Sequence, residues 1–255
     1  MSNTTHARQK RPVAWALVAT MGLGLAPPFV SDAAAAENTT VSSGQALSAK
    51  QQSIVPIAAE VAVGNIPQLN AALNHGLDAG LSVAEIKEIL IQLYAYTGFP
   101  RSLNALGQLM KVLDARKQRG IQDPAGREPT PLPPDSDILS LGTANQTKLL
   151  GQPARAPLYE FAPTIDDFLK RHLFGDIFAR DNLDWQSREL ATVGALAAMP
   201  GVESQLQAHL GFSMNVGLTA AQLREAAQVL AQASRVDAAA RTRTSLEKHL
   251  AGTKR

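Results

Sequence analysis

The stretch GLSVAEIKEI (80–89) and its near-copy GLTAAQLREA (217–226) decide how this chain of 255 residues folds. Each places a hydroxyl residue, Ser82 or Thr219, three positions ahead of Glu85 or Gln222. That spacing is a capping box, in which the two side chains satisfy backbone N–H groups at the start of a helix. The glycine in front suits the left-handed turn that ends a preceding helix. At the same offset of 137, Leu69, Leu73 and Leu77 fall on Leu206, Leu210 and Met214, while Ile86 and Glu88 fall on Leu223 and Glu225. Apolar residues four apart mark one helical face. Any two amphipathic helices share some apolar positions, but a shared glycine, cap and acid at one offset indicate an internal duplication. Almost nothing alternates with period two, so the fold class is all-α.

Working outward, the first copy spans about 45–120. Its capped helix runs to about Tyr96, and Gly98-Phe99-Pro100 stops and restarts the chain. The helix that follows closes on basic residues and Gly120. The second copy spans 158–251, with Asp184 as an N-cap ahead of Arg188 and Glu189. Between them, 121–157 contains Pro124, Pro129, Pro131, Pro133, Pro134, Pro153 and Pro157. Proline at this density opposes helix and favours an extended connector. TANQTKLL (143–150) predicts one short helix there, and the length suggests a strap over the surface.

The N-terminus reads as a targeting segment. Arg8, Lys10 and Arg11 precede the apolar run VAWALVATMGLGLA (13–26), which leads to Ala34-Ala35-Ala36. This is the pattern of a cleavable signal peptide over 1–36, ending near Ala36. The run is shorter than the ~20 apolar residues of a membrane span. A periplasmic or secreted protein is expected, with no membrane attachment after the leader is removed. Of 24 basic and 22 acidic residues, three basic residues and Asp32 belong to the leader, so the remainder is balanced. A balanced chain offers no electrostatic footprint for nucleic acid. With no cysteine at all, every mechanism that needs a thiolate nucleophile is excluded.

Ionisable residues concentrate in the second copy. Arg188 and Glu189 open one helix, His209 lies on the next, and Glu225 falls in the second turn of the third. Consecutive helices often assemble a polar pocket in this way. Plainer readings stand beside this one: a surface ion pair, a solvated histidine, charged faces at Glu88 and Glu225, and a simple helix break at Phe99. His172, beside Lys170 and Arg171, reads as part of a solvated face. Tyr94 and Tyr96, two apart on a helix, cannot share a face. The histidines are neither paired at i,i+4 nor clustered with carboxylates, so no metal is implied, and no cofactor motif appears.

Together these motifs resemble the carboxymuconolactone decarboxylase family, within the wider alkylhydroperoxidase-like group. The resemblance rests on Arg188-Glu189-Leu190-Ala191-Thr192, His209 and Gly217-Leu218-Thr219 in the second copy. In the first it rests on Gly80-Leu81-Ser82, Glu85-Ile86-Lys87-Glu88 and Tyr96-Thr97-Gly98-Phe99-Pro100. The departures matter equally. The first copy has about Gln52-Ser53 and Ala72 where the second has Arg188-Glu189 and His209, and the second has ASRVD (233–237) in place of the Gly-Phe-Pro stretch. Each copy keeps what the other has lost, which implies one composite cavity. Relatives that reduce peroxides use a Cys-x-x-Cys just before the histidine. This chain reads MPGVESQLQAH (199–209) there, so peroxidase chemistry is rejected.

The family's namesake reaction, loss of CO2 from an unsaturated lactone, needs a cation for the carboxylate, a dry pocket and a proton donor. The resemblance implies Arg188 as the anchor and His209 as the donor, with Glu189 or Glu225 orienting the imidazole. Tyr94 or Tyr96 would meet a carbonyl oxygen, and Glu88 and Phe99 would line the substrate. A cofactor-free lyase on a small carboxylated or lactone-type molecule is expected; the alternative is a non-catalytic binding or assembly module. The relatives resemble closed rings of subunits, which implies a homo-oligomer, with a trimer as one form.

Overall fold

The computed structural model describes residues 46–253, so the targeting segment read at 1–36 lies outside the described residues. In chain order the helices are α1 (Ala49–Val63), α2 (Ile66–Asp78), α3 (Val83–Thr97), α4 (Phe99–Gln118) and α5 (Ile138–Leu150). Then follow α6 (Pro157–Phe161), α7 (Pro163–Phe168), a π-helical segment (Leu169–Ile177), α8 (Trp185–Ala198), α9 (Glu203–Asn215), α10 (Ala220–Gln232) and α11 (Val236–Gly252). No strand occurs among the described residues. The protein is all-α, and α1–α4 are repeated by α8–α11.

The duplicated caps form as the sequence spacing requires. Ser82 accepts from Glu85 N while the Glu85 carboxylate accepts from Ser82 N, and Thr219 and Gln222 repeat the exchange. Gly80 and Gly217 take φ of +93° and +101°, a region closed to most side chains. At the break after α3 Gly98 has φ +80°, and Ser234, one residue before the position that matches Gly98, is the one non-glycine with positive φ among the described residues.

The centre of the molecule is the crossing of α1 and α8. Both are buried nearly all round, which hides their period from the sequence. They approach closely because Gly194 has no side chain: a Cβ there would lie 2.6 Å from the Val55 carbonyl oxygen. Leu69 and Leu73 of α2 and Leu206 and Leu210 of α9, each at most 1% exposed, join this core. Burial of each such leucine stabilises the fold by roughly 1.5–3 kcal/mol.

The connector does not hang free. Pro124 and Ala125 carbonyls accept from Val83 N and Ala84 N at 2.9 Å, capping α3 from outside. Arg116 holds the buried Asp123, and Asp181 accepts from Thr130 N, Thr130 Oγ1 and Arg127. Its helix is longer than the 143–150 expected. Asp137 caps it by accepting from Leu139 and Ser140 N, and it runs through Gly142 despite that residue's poor helix propensity. The glycine is required there, since a Cβ on Gly142 would sit 1.7 Å from the Lys170 carbonyl oxygen of the π-helical segment.

Residues 157–183 pack with α5 around Leu149, Leu173, Phe174, Ile177 and Phe178. This second cluster lies against Tyr94 and Tyr96 of α3, Trp185 of α8 and Phe212 of α9. This segment therefore covers the place where the aromatic end of the first copy meets the histidine helix of the second.

Candidate active site

α9 directs His209 inward, leaving its side chain 12% exposed. Its Nδ1 lies 2.9 Å from Glu189 Oε2 on the neighbouring α8, and Glu189 is fully buried. A carboxylate accepts, so Nδ1 carries the proton and Nε2 is the free nitrogen. The imidazole is held edge-on between two rings, Tyr96 at 5.7 Å and Phe212 at 5.1 Å. Tyr96 comes from α3, so the first copy supplies an aromatic wall to the ionisable pair of the second.

Among the described residues, three buried polar atoms around this pair have no hydrogen-bond partner: Tyr96 Oη, Glu189 Oε1 and Arg188 Nε. Buried polar groups are nearly always paired. Thr192 accepts from Gln92 Nε2 and donates to the Arg188 carbonyl, and its remaining lone pair lies toward the Tyr96 hydroxyl. Burial, and then the negative charge of Glu189, push the Tyr96 hydroxyl far above its ordinary range. It stays protonated and can only be a neutral donor or acceptor. Unpaired hydrogen-bonding capacity at a histidine–carboxylate pair is a site prepared for a polar partner.

Arg188 does not fit the anchor role that the resemblance implied. It is completely buried, Nη1 donates to Gln92 Oε1 at 3.0 Å, and Nη2 donates to Glu88 Oε1 at 2.9 Å and to the Arg180 carbonyl at 2.6 Å. Burial lowers its pKa, and Glu88 counters that by favouring the cation. A substrate carboxylate would need an open guanidinium fork, and both terminal nitrogens are taken. Arg188 acts instead as an internal clamp between α8 and α3. Glu88 is likewise withdrawn from any substrate: it is 1% exposed and its oxygens are held by Arg188 and Arg180.

The other expected residues lie elsewhere. Glu225 does not touch His209. Its carboxylate accepts from Leu47 N at 2.7 Å and Gln52 Nε2 at 2.9 Å, fastening the start of α1 to α10. Tyr94 points away from Tyr96, as two residues apart on a helix must. It stacks on Phe99 at 4.4 Å and its hydroxyl bonds His172. Phe99 is 62% exposed and belongs with Tyr94, not with His209.

Several participants were missed from the sequence. Gln92, Thr192 and Arg180 complete the Arg188–Glu88 network, and Gln92 at 0% exposure gave only an unremarkable polar letter on an amphipathic helix. Phe212 is three residues past His209, a spacing that places it on the same face and could have been noted. His172 is exposed, as read, with its side chain 49% accessible; its ring also meets Asp176 and Tyr94, while Lys170 and Arg171 turn to Asp166 and Asp167.

Two tandem helical units, joined so that one copy's aromatic segment meets the other's histidine, define a duplicated, cysteine-free alkylhydroperoxidase-like protein. Comparison with protein families matches the Carboxymuconolactone decarboxylase family over residues 27–110 and 163–248, two thirds of the chain. The chain belongs to that family, with one match for each copy. A search of curated proteins finds no match.

Proposed function

We propose that this protein is a cofactor-free lyase acting on a small carboxylated or lactone-type molecule, with His209 as its proton donor. The observation that supports this most directly is the His209–Glu189 pair set against Tyr96, whose buried hydroxyl has no partner. In such a reaction the substrate's carboxyl group leaves as CO2 and its bonding pair stays on carbon. Nε2–H of the imidazolium gives its proton to that carbon, while Glu189 stabilises the cation and fixes the ring. Tyr96 donates to the carbonyl oxygen that delocalises the electron pair. Solvent reprotonates the imidazole through its exposed edge. Family membership supports decarboxylase-type chemistry; the substrate and these roles are our reading.

One observation favours a second reading. The terminal nitrogens of Arg188 are engaged internally, so among the described residues the site shows no open guanidinium fork for a carboxylate, and a binding module on the same scaffold would need none. Purified protein tested on a panel of lactones and unsaturated acids, for CO2 release and for ligand-induced melting shifts, separates the two. For a lyase, His209→Ala lowers turnover by about 10²–10⁴-fold, the usual contribution of a general acid. Ligand stabilisation without turnover in the unaltered protein would establish the binder.

The same reading makes the protein exported through residues 1–36 and homo-oligomeric, with a trimer as one form. N-terminal sequencing of the exported protein and light scattering test these. Among the described residues no helix is long and apolar enough to cross a membrane.

A further inference from the structure

We propose a second ligand site, separate from the His209 pair: an apolar cavity headed by a Tyr94–His172–Asp176 relay, which takes a small apolar molecule bearing a hydroxyl group, such as a phenol. The cavity, open to solvent on one side, measures about 490 Å³ and is lined by the exposed Ile165 and Phe168 and by Leu169 and Leu173, with Tyr94 and the half-exposed His172 at its polar edge. That volume lies within the roughly 300–1,000 Å³ typical of small-molecule sites.

The relay has a definite direction. Asp176 Oδ2 lies 2.7 Å from His172 Nδ1, so the carboxylate accepts the Nδ1 proton. In the tautomer that this bond selects, Nε2 carries a lone pair and accepts from the Tyr94 hydroxyl. Tyr94 Oη is left with its own lone pairs, polarised by the chain behind it, and accepts from a ligand O–H. Ligand carboxylates are disfavoured there, because Asp176 is negative and the nearby cations are occupied: Lys170 by Asp166 and Arg171 by Asp167.

The backbone points to the same place independently. His172, Asp176, Leu169 and Leu173 all lie on the nine-residue π-helical segment, where Phe178 N bonds the Leu173 carbonyl at i→i+5. π-helical turns are rare and recur at functional sites. Stacking of Tyr94 on Phe99 fixes the phenol ring at the cavity mouth.

Calorimetric titration of the full protein with 4-propylphenol and its methyl ether, 4-propylanisole, tests the site. The phenol should bind about tenfold more tightly, the value of one good hydrogen bond to a polarised acceptor. Tyr94→Phe keeps the ring and should abolish that preference while leaving ether binding unchanged; His172→Gln should narrow it. Ile165→Trp, which fills the cavity, should weaken both probes at least tenfold. His209→Ala should change neither affinity. Equal binding of the two probes, a preference surviving Tyr94→Phe, binding that tolerates Ile165→Trp, or a preference lost in His209→Ala would each overturn the proposal.

Discussion

The duplication creates two equivalent junctions between the copies, and they have diverged. At one, Arg188 of α8 is bonded to Glu88 of α3; at the other, Gln52 of α1 is bonded to Glu225 of α10. Glu88 and Glu225 are corresponding residues, and Gln52 and Arg188 correspond within one position. The first junction is a fully buried ion pair, with side chains 0% and 1% exposed. The second is a half-buried carboxylate sharing its charge between a neutral amide and the Leu47 N–H. The histidine, its carboxylate and the tyrosine occur at the charged junction, and Ala72 and Ser53 stand at the neutral one. A buried ion pair is a weak source of stability against an apolar alternative. The pair stands near His209 and has no ionic counterpart at the mate junction.

The largest test of this contrast is Glu88→Ala, which leaves the buried Arg188 guanidinium without its counter-charge. It should cost roughly 3–5 kcal/mol in denaturant unfolding, as removal of one buried ionic partner does. A loss no larger than that at the neutral junction would erase the distinction drawn between them. Gly194→Ala attacks the packing shared by both junctions by pushing a methyl group onto the Val55 carbonyl. About 1–3 kcal/mol of stability should be lost through overpacking.

Tyr96→Phe should separate function from stability. It deletes a buried hydroxyl without a partner, so the protein should melt slightly higher, by the equivalent of about 1 kcal/mol, while turnover or ligand affinity falls. A drop in stability would mean that the hydroxyl has a partner. At the neutral junction, Gln52→Ala should cost roughly 1–3 kcal/mol, since it removes the bonds to Glu225 and to the Leu47 carbonyl while Glu225 stays held by Leu47 N.

The smallest effect concerns the connector. Hydrogen bonds from Thr130 N, Thr130 Oγ1 and Arg127 hold the Asp181 carboxyl well below its usual range. A depressed folded pKa means that this contribution is fully present above the ordinary aspartate value of about 3.9 and fades as pH falls below it. Asp181→Asn should therefore flatten the acid limb of a stability–pH curve and leave neutral pH almost unchanged. An unaltered acid limb would show the strap to be unlatched in solution.

Much of the fold was legible because its signals are local. The capping boxes at Ser82 and Thr219, the glycines at 80 and 217 and the leucine stripe of α2 each depend on residues within a turn or two, so chain order alone exposes them. α1 and α8 were less legible, since helices buried on every side carry no polar face to mark their period. The extra turn of α5 was hidden for another reason: Gly142 argues against helix until the Lys170 carbonyl is known to lie against it.

By itself the sequence determined that this chain is helical and duplicated, that each copy lacks residues the other retains, and that no thiol serves it. Only the tertiary structure decided which retained residues meet. It set Glu189, not Glu225, on His209, turned Tyr94 to His172, and closed Arg188 onto Glu88. Spacing along a helix fixes which face a side chain occupies, but its partner is set by crossings between helices, at separations here of 20, 78 and 100 residues. Those crossings are governed by close approaches at residues such as Gly194 and Gly142, whose lack of a side chain has meaning only beside the backbone it admits.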